Sequence, residues 1–444
     1  MIQENKILTF ILNNSIEDIL AHVDDIHPVD FLEALNAYEE NPLIILDKLP
    51  DDYIALLIDH AEDDEKFNLL SHFTQTRRGH IIAEMSSDEL VDLLGSIEEN
   101  EKKGIILNMN PADAKEVNDL LAYDPDSAGG IMATEFIVIK ETMTVEETIK
   151  FLRIMAPTSE TPYYIYVLDD NDVLKGVVPL REIIISEPET QISNIMIEKI
   201  IAIPVDMDQE DVSNIFEKYG FMAMPVTDSA GVMLGIITVD DIIEIIKDEH
   251  TEDMFRLAGL DEEEKISGSV FSGIKSRLPW LMVNLVTAIL AAATVSLFEA
   301  TIVKIVALAT FMPIVAGMGG NAGTQTLTMI IRGIALGELT FENQKEILKK
   351  EMAVGFINGL CIGIVVGGLG YFWVDNIIFG LVIGVAMFLN LIVATVSGYF
   401  VPVILKKIGI DPALASAVFV TTVTDVLGFF FFLGFATVMI NYLV

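Results

Sequence analysis

The last third of the chain is dominated by long apolar runs, and the rest by short alternations of apolar and polar positions. Beyond residue 277 the apolar runs fall near Leu278–Phe298, Ile305–Ile331, Met352–Val374, Ile377–Leu405 and Ala413–Tyr442. Each is long enough to cross a hydrocarbon core about 30 Å thick, which takes about 20 helical residues. The pattern predicts an all-α polytopic membrane domain of five helices over 278–444. Over residues 1–130, apolar positions recur at helical spacing with little strand signal, which predicts an α-helical superhelix. Four short motifs open helical runs there: Pro28-Val29-Asp30, Pro50-Asp51-Asp52, Ser86-Ser87-Asp88 and Pro111-Ala112-Asp113. Proline and aspartate suit a helix N-terminus, where an N–H is spare and the dipole favours negative charge.

Residues 131–250 contain an internal repeat, Met132–Ile184 and Met196–Ile243. Each copy opens with Ile-Met and a short strand, then a helix capped by Thr144 or Asp208. An apolar strand, an acidic turn, a strand through Gly176 or Gly235 and a final helix follow. The offset between copies is 64 at Met132/Met196 and 59 from Val167/Val226 to Ile183/Ile242, so the first copy carries extra residues within Arg153–Thr161. Tandem β-α-β-β-α units over 131–190 and 191–248 resemble a pair of cystathionine-β-synthase (CBS) domains, a regulatory module, which implies sensing. Thr238 and Asp241 form a Thr-x-x-Asp turn suited to the phosphate or ribose of ATP; the first copy has Pro179 and Glu182 there. Residues 249–277 read as a connecting segment. Glu249–Phe255 extends an amphipathic helix, an acidic run at 261–264 interrupts it, and Ser267–Arg277 leads to Pro279 and the first span.

Composition agrees: 52% of residues are hydrophobic and 21% charged. The net charge of −39 lies almost wholly before residue 278. Such a region repels nucleic acid and attracts cations. The single cysteine, Cys361, excludes a disulfide framework. No cleavable signal peptide is visible at the start. Lys275, Arg277, Arg332, Lys345, Lys349, Lys350, Lys406 and Lys407 all fall on one side of the five spans, against Lys304 on the other. The positive-inside rule then puts the acidic part in the cytoplasm and Val444 outside a cell inner (plasma) membrane.

Two features within the spans call for more than lipid anchoring. Asp425 lies in Thr421–Gly428 with no basic residue inside a span to neutralise it. A carboxylate there costs roughly 2.5–3.5 kcal/mol on insertion scales, so a cation is the natural partner. Thr421 and Gly428 share its helix face. The second feature is Pro313 followed by Gly317–Gln325, which predicts broken backbone lining a cavity, with Asn321, Thr324 and Gln325 as added oxygen ligands. Gly319 and Gly323 also form a GxxxG packing pair, and Gly359/Gly363/Gly367 with Gly380/Gly384 read as packing faces. In the acidic part, Asp88 and Asp92 lie four apart on one helix face, half of a candidate metal site. No nucleophile–base pair, His cluster or phosphate loop appears, which argues against an enzyme.

The order of parts, with Tyr123–Met132, Leu278-Pro279-Trp280, Gly317–Gln325, Asp411-Pro412-Ala413 and Thr421–Gly428, resembles the MgtE family of magnesium channels or transporters over essentially the whole chain. The resemblance implies a homodimer in the bilayer with the pore on its twofold axis and two Asp425 carboxylates facing each other. Gly317 and Gly320 backbone oxygens and the Asn321 side chain would contact the water shell of Mg²⁺; Thr324 stands where some relatives have Asn. It also implies a gate: cytoplasmic Mg²⁺ bound at Asp241, Glu244, Glu249, Glu252, Asp253 and Asp411, with Asp88 and Asp92 in the helical domain, closes the pore. A broader carrier of Co²⁺ or Mn²⁺ and a membrane-tethered nucleotide sensor stay open beside a Mg²⁺-selective channel.

Overall fold

The computed structural model describes residues 4–443 except 15–17, 20–21, 39–40, 62, 157–158, 261–263, 265, 267 and 415. Most of the acidic run at 261–264 and part of the extra first-copy segment thus lie outside the described residues. The chain divides into two units, 1–245 and 246–444.

The first unit opens with short helices: α1 (Glu4–Asn13), α2 (Pro28–Asn36), α3 (Leu43–Leu46), α4 (Asp51–Asp59), α5 (Asp63–Ser71), α6 (Gln75–Ile82), α7 (Ser87–Ser96), α8 (Glu99–Ile106) and α9 (Pro111–Leu120). All four sequence motifs open a helix. Pro28 and Pro111 occupy the first turn, and the Asn110 side chain accepts from Ala112 N. The apolar faces merge into one core around Phe31, Ile54, Leu57, Leu70 and Leu93.

The repeat follows as β1 (Val138–Ile139), α10 (Val145–Met155), β2 (Tyr164–Leu168), β3 (Leu174–Pro179) and α11 (Leu180–Ile185), then β4 (Ile203–Pro204), α12 (Gln209–Tyr219), β5 (Ala223–Thr227), β6 (Met233–Thr238) and α13 (Val239–Ala258). Each copy is a three-stranded sheet whose first strand is parallel to the second and whose third is antiparallel to it. Ile139 pairs with Val167 and Val167 with Gly176; Ile203 pairs with Val226 and Val226 with Gly235. The 59-residue offset is therefore a register equivalence. Thr144 caps α10 in a reciprocal capping box with Glu147, and Asp208 caps α12. The two copies are bridged at Val173–Val232 and Ala133–Ile236. Ahead of them, Ala128 N and Gly129 N donate to Met207 O and Val205 O. A side chain at Gly130 would meet the Asp124 carbonyl at 2.5 Å, so the strap there requires glycine. The last repeat helix and the start of the connecting segment are one unbroken helix, α13.

The second unit holds α14 (Val270–Ser296), α15 (Glu299–Lys304), α16 (Ala307–Ala335), α17 (Gln344–Val374), α18 (Ile377–Lys407), α19 (Ser416–Val438) and α20 (Ile440–Leu443). Helix α18 is central and packs on α16, α17 and α19. The expected glycine faces pack α17 on α18: a Cβ at Gly363 would meet Gly384 O at 2.7 Å, and one at Gly380 would meet Gly367 O at 2.6 Å. Among the described residues, four helices, α14 and α17 to α19, are long and apolar enough to cross a membrane. Helix α16, with 29 residues, is about 43 Å long and so can also span, but its Gly-, Asn- and Thr-rich middle dilutes its apolar character. It is held by its neighbours instead: the core around Phe311 and Val315 joins it to α18 and α19.

Candidate metal centres

The expected break in the second membrane segment is corrected. Helix α16 runs unbroken through Pro313 and the glycines. Membrane helices tolerate such residues when neighbours hold them, and here the neighbours press close. A Cβ at Gly319 would meet Asn390 Nδ2 at 2.4 Å, and one at Gly323 would meet Val420 Cγ1 at 2.5 Å. Gly319 and Gly323 are thus the packing pair. The Gly317 and Gly320 carbonyls sit inside a regular helix, and Thr324 Oγ1 donates to Gly320 O at 3.0 Å. The face still open is that of Gly317, Asn321 and Thr324: Asn321 and Thr324 are exposed, and nothing stands within 4 Å of a Cβ at Gly317.

Gly320 sets that face beside α19, where the Thr421 methyl lies 3.8 Å from its Cβ position. One turn along α19 is Asp425, half-buried. Among the described residues, no hydrogen bond or ion pair reaches its carboxylate. The hydroxyls around it are turned back on their own helix, Thr421 to Ala417 O and Val418 O, and Thr424 to Thr421 O. The stripe therefore offers a carboxylate and hydroxyl lone pairs, with no cation of the protein's own. Sequence reading missed the residue that ties the two helices together. Asn390 of α18 is fully buried, donates to Val315 O on α16 at 2.9 Å, and lies against Gly428 of α19. Among the described residues its Oδ1 has no partner. An Asn in an apolar helix carries no periodic signal of its own; its match to Gly319 and Gly428 appears only in three dimensions.

In the first unit, Asp88 and Asp241 are brought together. Asp88 is buried in the first turn of α7; Asp241 is half-buried in α13 and accepts from Thr238 Oγ1 at 2.6 Å. Asp59, Glu89, Glu135 and Glu160 join them, again unforeseen in the sequence. Burial, then the neighbouring Asp88, pushes the Asp241 carboxyl up to about 7. Burial raises Asp59 to about 7 and Glu160 to about 8, with Asp88 adding to both, and raises Asp88 and Glu135 as well. Glu89 is pushed by burial to about 8 against the pull of buried Lys66, whose Nζ is 2.5 Å away. Asp92 is exposed one turn beyond Asp88, and Glu244 is exposed on α13. The Thr238–Asp241 turn lies inside this acidic cluster, surroundings that repel a nucleotide phosphate.

The second unit has its own acidic cluster. Asp253 of α13 is raised by burial and by Asp411, which precedes α19. Glu252 and Asp411 both pair with Arg256. Glu249 is half-buried a turn earlier. Arg256 thus already occupies the position of a bridging cation. Among the described residues, no three His, Cys, Asp or Glu side chains converge as a ready chelate.

A bundle that sets the uncompensated Asp425 carboxylate on an open helix face, joined to buried acidic clusters on a sensor fold, defines a divalent cation transporter with a regulatory part. Comparison with known proteins agrees. Residues 312–435 match the family model described as divalent cation transporter, 26–126 the MgtE intracellular N domain, and 128–187 and 192–248 the CBS domain. The magnesium transporter MgtE of Thermus thermophilus is 33% identical over 94% of both chains, and that of Bacillus subtilis 30% identical over 98% of this chain and 97% of that one. The chain belongs to the MgtE family. The first unit is similar to a solved soluble part of a magnesium transporter, 32% identical, TM-score 0.53, covering 56% of this chain and 98% of that one. It is also similar to the cytosolic domain of the Mg²⁺ channel MgtE in complex with ATP, 33% identical, TM-score 0.50, covering 55% and 99%.

Proposed function

We propose that the chain is a Mg²⁺ channel or transporter of the plasma membrane whose cation path runs past Asp425. The observation that carries this is the Asp425 carboxylate, unpaired among the described residues, beside the open Gly317–Asn321–Thr324 face. In a homodimer two such carboxylates hold one hydrated Mg²⁺ through its waters, with Asn321 and Thr324 contacting the outer shell. The C-terminus lies outside the cell, as the loop charges suggest. Cytoplasmic Mg²⁺ bridges Asp88 with Asp241, and Asp253 with Asp411 and Glu252, and closes the path; Glu244, Glu249 and Asp92 lie on the rims of these sites. A divalent ion stabilises whichever state brings the carboxylates together, by its differential affinity for that state. The division of labour follows residues 1–130, 131–190, 191–248, 249–277 and 278–444. ATP, held by the related cytosolic domain, binds the CBS pair here with its phosphates turned away from Asp241.

The test is Mg²⁺ uptake in cells lacking their own Mg²⁺ uptake systems. Rescue by the intact chain and its loss with Asp425→Ala at equal membrane expression is the expected result. Uptake by Asp425→Ala equal to that of the intact chain would remove the path from Asp425. Oxygen-only ligands select hard ions without separating Mg²⁺ from Mn²⁺, so competition by Mn²⁺ and Co²⁺ in the same assay decides between a selective and a broader carrier.

A further inference from the structure

A polar cavity of about 240 Å³ lies between α16, α17 and α18. Its polar lining is Gln325, Thr326, Lys350, Glu351, Asn358 and Thr395. Glu351 is only 6% exposed, yet among the described residues its carboxylate accepts no hydrogen bond. The nearest cation is Lys350 Nζ at 3.5 Å, on a side chain that is 66% exposed. The side-chain amides of Gln325 and Asn358 are likewise without a hydrogen bond among the described residues. Thr395 Oγ1 donates to Leu391 O and keeps its lone pairs for a ligand. Gly355 keeps the corner open, since a Cβ there would stand 2.4 Å from Thr395 Oγ1.

A buried carboxylate inside a membrane bundle is kept where it meets a cation or a water-filled path. Besides the Lys350 ammonium, this wall offers a carboxylate, two amides and two hydroxyls, whose oxygens make a set for a hard cation. Each liquid water fills about 30 Å³, so the cavity holds an ion with most of its first shell. We propose that this cavity is a second divalent-cation site of the membrane domain. Glu351 is its charged ligand, and Gln325 and Asn358 bind the ion's waters. Lys350 is an internal competitor that swings out when the ion enters. Gln325 is one helical turn from Asn321, so the site loads ions beside the path; that purpose, though not the binding, rests on the reading of the chain as a cation transporter.

The only cysteine provides the probe. Cys361 is exposed on α17, ten residues beyond Glu351 and so about 15 Å along the helix. The full chain is labelled there with a trifluoromethyl tag in an Asp425→Ala background, which removes the pore carboxylate, and Mn²⁺ is titrated as a paramagnetic hard cation. The expected result is broadening of the fluorine resonance that Mg²⁺ reverses. Glu351→Gln raises the half-broadening Mn²⁺ concentration by about tenfold or more, as loss of a ligand does. Glu351→Asp raises it less, and Lys350→Met lowers it. Broadening unchanged in Glu351→Gln, or no change with Lys350→Met, would overturn the site; relief by Na⁺ but not by Mg²⁺ would overturn the divalent assignment. Failed Mg²⁺ uptake by the intact chain, with Mn²⁺ broadening retained, would count against the transport reading and leave this site standing.

Discussion

The acidic cluster of the first unit and the polar stripe of the membrane unit handle charge on opposite plans. The first crowds Asp59, Asp88, Glu89, Glu135, Glu160 and Asp241 together with buried Lys66, and burial drives their carboxyls toward the protonated form. The second isolates Asp425 among hydroxyls already bonded to their own helix. A crowded cluster holds protons until a metal displaces them, and its response depends on pH. A lone carboxylate on a helix face gains by meeting a cation, and its response depends on geometry. The difference fits a sensor and a path.

The largest effect expected from breaking this contrast is at Asn390, which sets the spacing of α16 and α19. Asn390→Leu loses the bond to Val315 O and puts a branched side chain against Gly319 and Gly428. Uptake should fall about tenfold or more while Asn390→Gln recovers part of it, since a lost buried partner costs about 1–3 kcal/mol. Equal uptake by Asn390→Leu would show that the spacing is not set there. Next comes Arg256→Ala, which strips the protein's own cation from Glu252 and Asp411. Protease sensitivity around the end of α13 should rise in Mg²⁺-free buffer and return to normal on adding Mg²⁺; no added Mg²⁺ dependence contradicts the surrogate role.

The pH behaviour has a definite sign. The folded-state pKa values of Asp59 and Asp241, about 7, and of Glu89 and Glu160, about 8, lie above ordinary carboxyl values. Between about pH 4 and pH 8 the folded state therefore binds more protons than the unfolded one. Metal-free stability is full below that window and is lost as pH rises through the folded values. Mg²⁺ stabilisation grows over the same range. Thermal melts with and without Mg²⁺ at each end of the window check this, and a Mg²⁺ increment that shrinks with pH would contradict it. The smallest effect is at Asp92, exposed beside the cluster. Asp92→Asn should shift half-saturation by Mg²⁺ less than about twofold, as for an exposed charge, and a shift as large as that of Asp88→Asn would move the site outward.

Much of this was legible in the sequence. Apolar runs marked the membrane helices, the 59-residue offset marked the repeat and its register, and Pro-Asp motifs marked helix starts. These are local signals. The unbroken α16 was not legible, because whether Pro313 and the glycines break a helix depends on Asn390 and Val420 packed against it. The cluster partners were also hidden. Asp59, Glu135 and Glu160 lie far apart in sequence from Asp241, and in a chain with so many acids no spacing singles them out. Arg256 carries no signal of its own in the sequence; its place shows only in three dimensions, where it pairs with Asp411.

The most direct test of the account is Mg²⁺ flux through the full chain in proteoliposomes, titrated with Mg²⁺ on the side of the acidic unit, for the intact chain and for Asp88→Asn with Asp241→Asn. The account predicts equal flux when that side is free of Mg²⁺ and a closing concentration raised several-fold in the double variant, since each lost carboxylate removes a ligand. An unchanged closing concentration, with both proteins equally folded, would contradict the claim that these buried carboxylates sense the ion that Asp425 passes.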